Sequence, residues 1–174
     1  MIRLVRACFI LGLMSRLEAS QIVTRESLTP YEFVFQDLEG RLRSFEARVG
    51  TLALKHNHPL VRYTLYRTTK TFYEVTGERS AVRFSRAAVP TILGRLKAGQ
   101  RPGEIVELYR FTVVDGKRVI GASRPKKPSP NRVPVTFEEE GGSIVRIILS
   151  GIEPGEYGLS TVLNNEVYCF GIDP

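Results

Sequence analysis

Apolar side chains recur at every second position in three separate stretches of this chain. Tyr31, Phe33 and Phe35 fall opposite Glu32 and Gln36, Val61, Tyr63 and Leu65 oppose Arg62 and Thr64, and Val133, Val135 and Phe137 alternate with Arg132, Pro134 and Thr136. A helix repeats every 3.6 residues and a strand every two, so the pattern commits these stretches to pleated strands with one face toward a core. Thr71 to Val75 is aromatic and β-branched, which suits a further strand. Pro134 has no amide to donate, so its strand belongs at a sheet edge or begins there. Ser143 to Leu149 is apolar apart from Arg146 and reads as a central strand.

Turn chemistry cuts the runs apart at short intervals. Asp115-Gly116 stands between Glu104 to Val114 and Lys117 to Ala122, and Asn164-Asn165 stands between Tyr157 to Leu163 and Glu166 to Ile172. Both dipeptides tolerate positive φ, the requirement of tight hairpin turns. Pro154 presets φ for a turn and Gly155 relaxes it, after which Tyr157 opens a strand. A tyrosine in that place resembles a tyrosine corner, with its ring in the core and its hydroxyl returned to nearby backbone. Asn164-Asn165 then turns that strand back onto Val167 to Ile172. Two segments keep two readings each. Asp37 to Val49 is a strand pair around Glu39-Gly40 or a helix, and Ala87 to Ala98 can form a helical turn after Pro90. The expected fold is mostly β, an antiparallel β-sandwich of Ig-like or jelly-roll-like type with room for one short helix. At 174 residues and 43% hydrophobic, residues 21–174 make one sandwich domain.

Residues 1–20 have the order of a secretory signal: arginines at Arg3 and Arg6, an apolar run from Ala7 to Met14, and a small-residue end at Ala19-Ser20. The run is far short of the roughly 20 residues that span a bilayer, so no transmembrane helix is expected. Removal of this segment leaves Cys169 as the one cysteine, which rules out an internal disulfide and predicts a small buried hydrophobe between Tyr168 and Phe170.

Pro154-Gly155-Glu156-Tyr157, followed by Val167-Tyr168-Cys169-Phe170-Gly171-Ile172-Asp173, resembles the C-terminal hairpin of a loose, functionally uncharacterised group of small exported bacterial β-sandwich proteins. Gly77-Glu78-Arg79-Ser80-Ala81 and Glu107-Leu108-Tyr109-Arg110 are similar to segments of that group, so the likeness covers roughly the last hundred residues. It implies a β fold and export and carries over no functional residue.

His56 and His58 lie two apart just before Pro59, and on a strand such a pair shares a face and can offer two imidazoles to a metal. The cupin pattern would place a glutamate a few residues on, where this chain has Arg62 and Tyr63. There is no Gly-x-Ser-x-Gly elbow, phosphate-cradling glycine loop or Cys-x-x-Cys pair. Glu138-Glu139-Glu140 reads as a solvated strand end running into Gly141-Gly142. The formal charge of +7 is carried in part by Arg95, Lys97, Arg101, Lys117, Arg118, Arg124, Lys126 and Lys127 in the middle third. Arg124, Lys126, Lys127 and Arg132, among four prolines, form an extended basic crossover suited to anions. The leading expectation is a non-enzymatic exported or cell-envelope (periplasmic or secreted) protein without cofactor, whose partner is an envelope protein, an anionic polymer or a membrane surface. The alternatives are a metal-dependent or carboxylate enzyme on the same fold, and nucleic-acid binding through a basic face.

Overall fold

The computed structural model describes residues 23–56, 69–121 and 129–174, with backbone alone at 53–56 and 69–72. Its strands, in chain order, are β1 (Phe33–Gln36), β2 (Leu42–Ser44), β3 (Glu46–Val49), β4 (Thr51–His56), β5 (Thr69–Thr76), β6 (Arg83–Ser85) and β7 (Thr91–Arg95). After one helical turn, α1 (Pro102–Ile105), come β8 (Val106–Arg110), β9 (Thr112–Val114), β10 (Lys117–Gly121), β11 (Arg132–Val133), β12 (Thr136–Gly141), β13 (Ile144–Ile148), β14 (Gly155–Thr161) and β15 (Glu166–Asp173). No helix among the described residues is long and apolar enough to cross a membrane.

The strands form three sheets. The first runs β12-β13-β7-β1-β2, the central one β11-β8-β14-β15-β3, and the third β4-β5-β10-β9. Pairing is antiparallel except where β6 lies parallel to β15 at the Gly171↔Arg83 register. The central sheet is covered on both faces, which explains why β14 and β15 are buried nearly without interruption instead of alternating. On one face Tyr157, Leu159, Tyr168 and Phe170 pack with Phe33, Ile92, Val145 and Ile147 of the first sheet. On the other face Tyr109, Phe111, Val167 and Cys169 pack with Val75 and Ile120 of the third sheet. Residues 23–28 fold over the far side of the first sheet, where Leu28 meets Val34, Leu93 and Ile144.

The C-terminal hairpin lies in the middle of this stack. β14 pairs with β15 from Gly155↔Ile172 to Ser160↔Val167. Tyr157 is 1% exposed, its ring stacks on Phe170 at 5.6 Å, and its hydroxyl donates to the Glu153 carbonyl at 2.6 Å. That is the corner geometry expected of Tyr157, but the turn lies earlier than expected, at Ser150-Gly151, and Gly155 is already the first residue of β14. Asp115-Gly116 is a two-residue turn with both φ angles positive, 51° and 76°, joining β9 to β10.

The structure departs from the sequence reading at several points. Asn164 and Asn165 have no positive φ; Val162 to Asn165 is a four-residue loop, closed by the Asn164 Oδ1 accepting from the Thr161 hydroxyl and the Glu166 amide. Side-chain hydrogen bonds thus replace backbone strain. The run Glu104 to Val114 is not one strand: it starts in α1, continues as β8 in the central sheet and crosses at Phe111 into β9 of the third. Pro134 marks a second crossing, because β11 belongs to the central sheet and β12 to the first. Asp37 to Val49 resolves as turn and strands, with Gly40 at φ 80°. The helical turn near Pro90 precedes the proline, at Arg86–Ala88, and Thr91–Arg95 is strand.

Candidate functional site

Charge is distributed unevenly between the layers, beginning with an ionic cluster between the central and third sheets. Arg118 of β10 is fully buried; its Nη2 donates to Glu46 Oε1 at 3.0 Å and its Nε to the Gly77 carbonyl at 3.1 Å. Glu46 Oε2 accepts from the Ser80 hydroxyl and the Ala81 amide, both at 2.7 Å. Burial alone would raise the Glu46 carboxyl, but the Ser80 hydroxyl, Arg48, the Ala81 amide and Arg118 outweigh it and hold it at about 2. Glu156, 8% exposed, accepts from the Ser80 amide and from Arg83 Nη1, and Arg83 also forks onto Asp173. Each carboxylate here is met by several donors, so the cluster joins sheets, with Arg118 Nη1 left buried without a hydrogen-bond partner. Arg118, expected on a basic surface, is therefore a core residue: its β10 position faces the central sheet, opposite Val75 of β5.

Beside this cluster the same two sheets part into a cleft of about 240 Å³. Tyr73, Ile120 and Gly121 line it from the third sheet; Glu107, Tyr109, Ser160 and Val167 line it from the central one. Glu107 and Tyr109 are two apart on β8 and so share a face. The Tyr109 hydroxyl donates to Glu107 Oε2, and Arg132 Nη1 lies 3.2 Å from Glu107 Oε1. The Glu107 charge is thus neutralised in place. A second hollow, about 370 Å³, is lined by Lys97, Gln100, Arg101, Glu139 and Ser143 together with Gly99, Gly141 and Gly142.

The third sheet ends in a strongly basic part of the sequence. Described residues carry 17 Lys and Arg against 17 Asp and Glu, so the formal excess of +7 belongs to residues 1–22 (+2), 57–68 (+2) and 122–128 (+3). β4 meets β5 at His56↔Thr69 with Lys55 opposite Lys70, and β10 meets β5 at Gly121↔Phe72. Both internal basic segments therefore join the third sheet at the same end. From Gly50 to Tyr73 the chain has Lys55, Arg62, Arg67 and Lys70 and no acid, and from Gly116 to Phe137 it has six basic residues and no acid.

Of the sequence-predicted site residues, His56 closes β4 by backbone pairing, and its side chain, with His58, Arg124, Lys126 and Lys127, lies outside the described residues, as do residues 1–20 and the strand read at Val61 to Leu65. Arg132 is described and faces Glu107. Arg95 and Lys97 sit at the end of β7 in the first sheet, across the central sheet from Lys117 of β10, so the basic set does not converge on one face. Among the described residues no three His, Cys, Asp or Glu side chains are grouped to hold a metal. Glu140 of the acidic run departs from the solvated strand end expected of it: its side chain is largely buried and is held by Arg25 and Arg146. Cys169 is fully buried with its thiol pushed up to about 12 by burial first, which removes it from nucleophilic chemistry. Sequence reasoning missed Glu107, Tyr109 and Tyr73; the i, i+2 spacing of Glu107 and Tyr109 was the available signal. The chain matches no family model, no curated protein and no solved structure.

Proposed function

We propose that this protein is an exported, non-enzymatic β-sandwich that binds an anionic polymer or membrane surface of the cell envelope through the end of the third sheet where β4, β5 and β10 meet residues 57–68 and 122–128. The observation that carries the reading is the register: His56↔Thr69 and Gly121↔Phe72 root two acid-free basic segments at one end of one sheet, while the described remainder is charge-balanced. Among the described residues, Arg83, Arg118 and Arg132 are paired with carboxylates. Export rests on the signal-like order of residues 1–20.

Co-sedimentation with vesicles tests the reading. Vesicles containing an anionic phospholipid should retain the protein at low salt and release it as salt rises, and purely zwitterionic vesicles should not retain it. Equal retention by both kinds of vesicle, or retention by neither together with none on an anionic polysaccharide matrix, contradicts it. Fractionation of expressing cells tests export, and an intact chain confined to the cytoplasm contradicts that part.

A further inference from the structure

The geometry points to a second binding site, independent of the basic segments: the cleft between the central and third sheets takes a neutral saccharide ring. Three observations converge. The cleft, about 240 Å³, is of monosaccharide rather than polymer size. Its walls pair ring and aliphatic surface, from Tyr73, Ile120 and Val167, with hydrogen-bonding groups from Glu107, Ser160 and Asn164. Such a mixture matches a pyranose, whose C–H face is apolar and whose edge carries hydroxyls. Its charge is cancelled within the wall, because Glu107 is paired with Arg132 and accepts from the Tyr109 hydroxyl. That cancellation disfavours cations and anions alike and leaves further lone-pair directions on the same carboxylate to accept from ligand hydroxyls. Asn164 already spends its Oδ1 on Thr161 and Glu166, which orients the amide and frees its NH2 to donate.

The chain has no tryptophan, so tyrosine emission can be read, with Tyr73 and Tyr109 of the cleft two of its seven contributors and the amide shifts giving the location. The experiment titrates the full chain with a panel of neutral sugars, glucose, galactose, mannose and N-acetylglucosamine, followed by tyrosine emission and by amide chemical shifts. At least one sugar should give saturable shifts centred on β8, β10 and the Val162 to Asn165 loop, with an affinity that does not change with salt. Tyr73→Ala should weaken that sugar by about tenfold, the loss of one stacking wall and its contacts. Because Tyr73→Ala also thins the core, Gly50→Ala serves as the second variant. Its added Cβ would stand 3.6 Å from Val167 Cγ2 and 3.9 Å from Tyr73 Cδ1, an ordinary contact that narrows the cleft without displacing backbone. It too should weaken binding. No saturable shift with any sugar, shifts that survive both variants, or binding that disappears at high salt would each overturn the assignment.

Discussion

Replacing Glu46 by Gln keeps the side chain's shape and removes the carboxylate that Arg118 Nη2 meets at 3.0 Å. Arg118 is 0% exposed and cannot turn its guanidinium to water, so the substitution leaves a buried cation without a counter-charge, facing only neutral acceptors, the glutamine amide oxygen and the Thr76 and Gly77 carbonyls. Breaking a buried pair from one side costs about 3–5 kcal/mol. The two carbonyls, with the Phe111 ring 5.8 Å from the guanidinium, place the loss near the lower bound, about 3 kcal/mol. The depressed Glu46 carboxyl points in the same direction, with Ser80, Arg48 and the Ala81 amide sharing the effect with Arg118. The Glu46 carboxyl is held at about 2 against an ordinary 4.5, and each unit is worth roughly 1.4 kcal/mol, so its charged form contributes about 3 kcal/mol. Because folding lowers this pKa, the contribution is complete above 4.5 and is lost as pH falls from there toward 2. Arg118→Met should cost less, since Glu46 keeps Arg48, Ser80 and the Ala81 amide, and the double variant should cost less than the two single losses added. Urea unfolding measures all three. At neutral pH the Glu46→Gln deficit should be about 3 kcal/mol, and it should shrink on acidification as the wild-type carboxyl protonates. A deficit under about 1 kcal/mol, or one that does not change with pH across that window, refutes the claim that this pair joins the two sheets.

Other consequences can be checked in the same way. Tyr157→Phe removes the hydroxyl that meets the Glu153 carbonyl at 2.6 Å while keeping the ring on Phe170, so chemical denaturation should show a loss of about 1–2 kcal/mol with an unchanged fold. Gly158→Ala would set a Cβ 2.6 Å from both Phe111 Cζ and Val167 Cγ1; over-packing of that kind costs about 1–3 kcal/mol, seen as a lower melting temperature. Cys169 should resist thiol reagents in the folded protein at alkaline pH short of about 12 and react at once after unfolding, a difference that mass spectrometry reads directly.

What the sequence disclosed is what is decided locally. Two glycine-containing turns, the Tyr157 corner and the buried Cys169 each depend on neighbours a few residues away, and each was visible in short strings. Phe111 and Pro134 behave differently. Alternation continues through both, so the pattern looks like one strand, while the chain bends from one sheet into another because the three layers, not the local repeat, choose its partner. Arg118 is the same problem in charge: nothing near it in the chain says that it is internal, because its carboxylate partner Glu46 is 72 residues away. The cleft was half visible. Glu107 and Tyr109 announce a shared face by their spacing, but Arg132, Tyr73 and Ser160 join them only through the pairing of β8 with β11 and β14 and the stacking of β5 above. Position of the net charge could be read from the sequence, and that residues 57–68 and 122–128 are joined to the same end of the third sheet could not, because that follows from the β4–β5 and β5–β10 registers.

The proposed anion-binding end of the third sheet is tested most directly by moving the same charge between layers. Lys126→Glu with Lys127→Glu changes the charge of the segment that follows β10, whereas Arg86→Glu with Lys97→Glu makes an equal change on either side of β7, in the first sheet. Retention on vesicles containing an anionic phospholipid is compared for wild type and both variants at one salt concentration. If the end of the third sheet carries the binding, the first variant detaches and the second stays bound; if both detach alike, net charge alone is responsible and the site is contradicted.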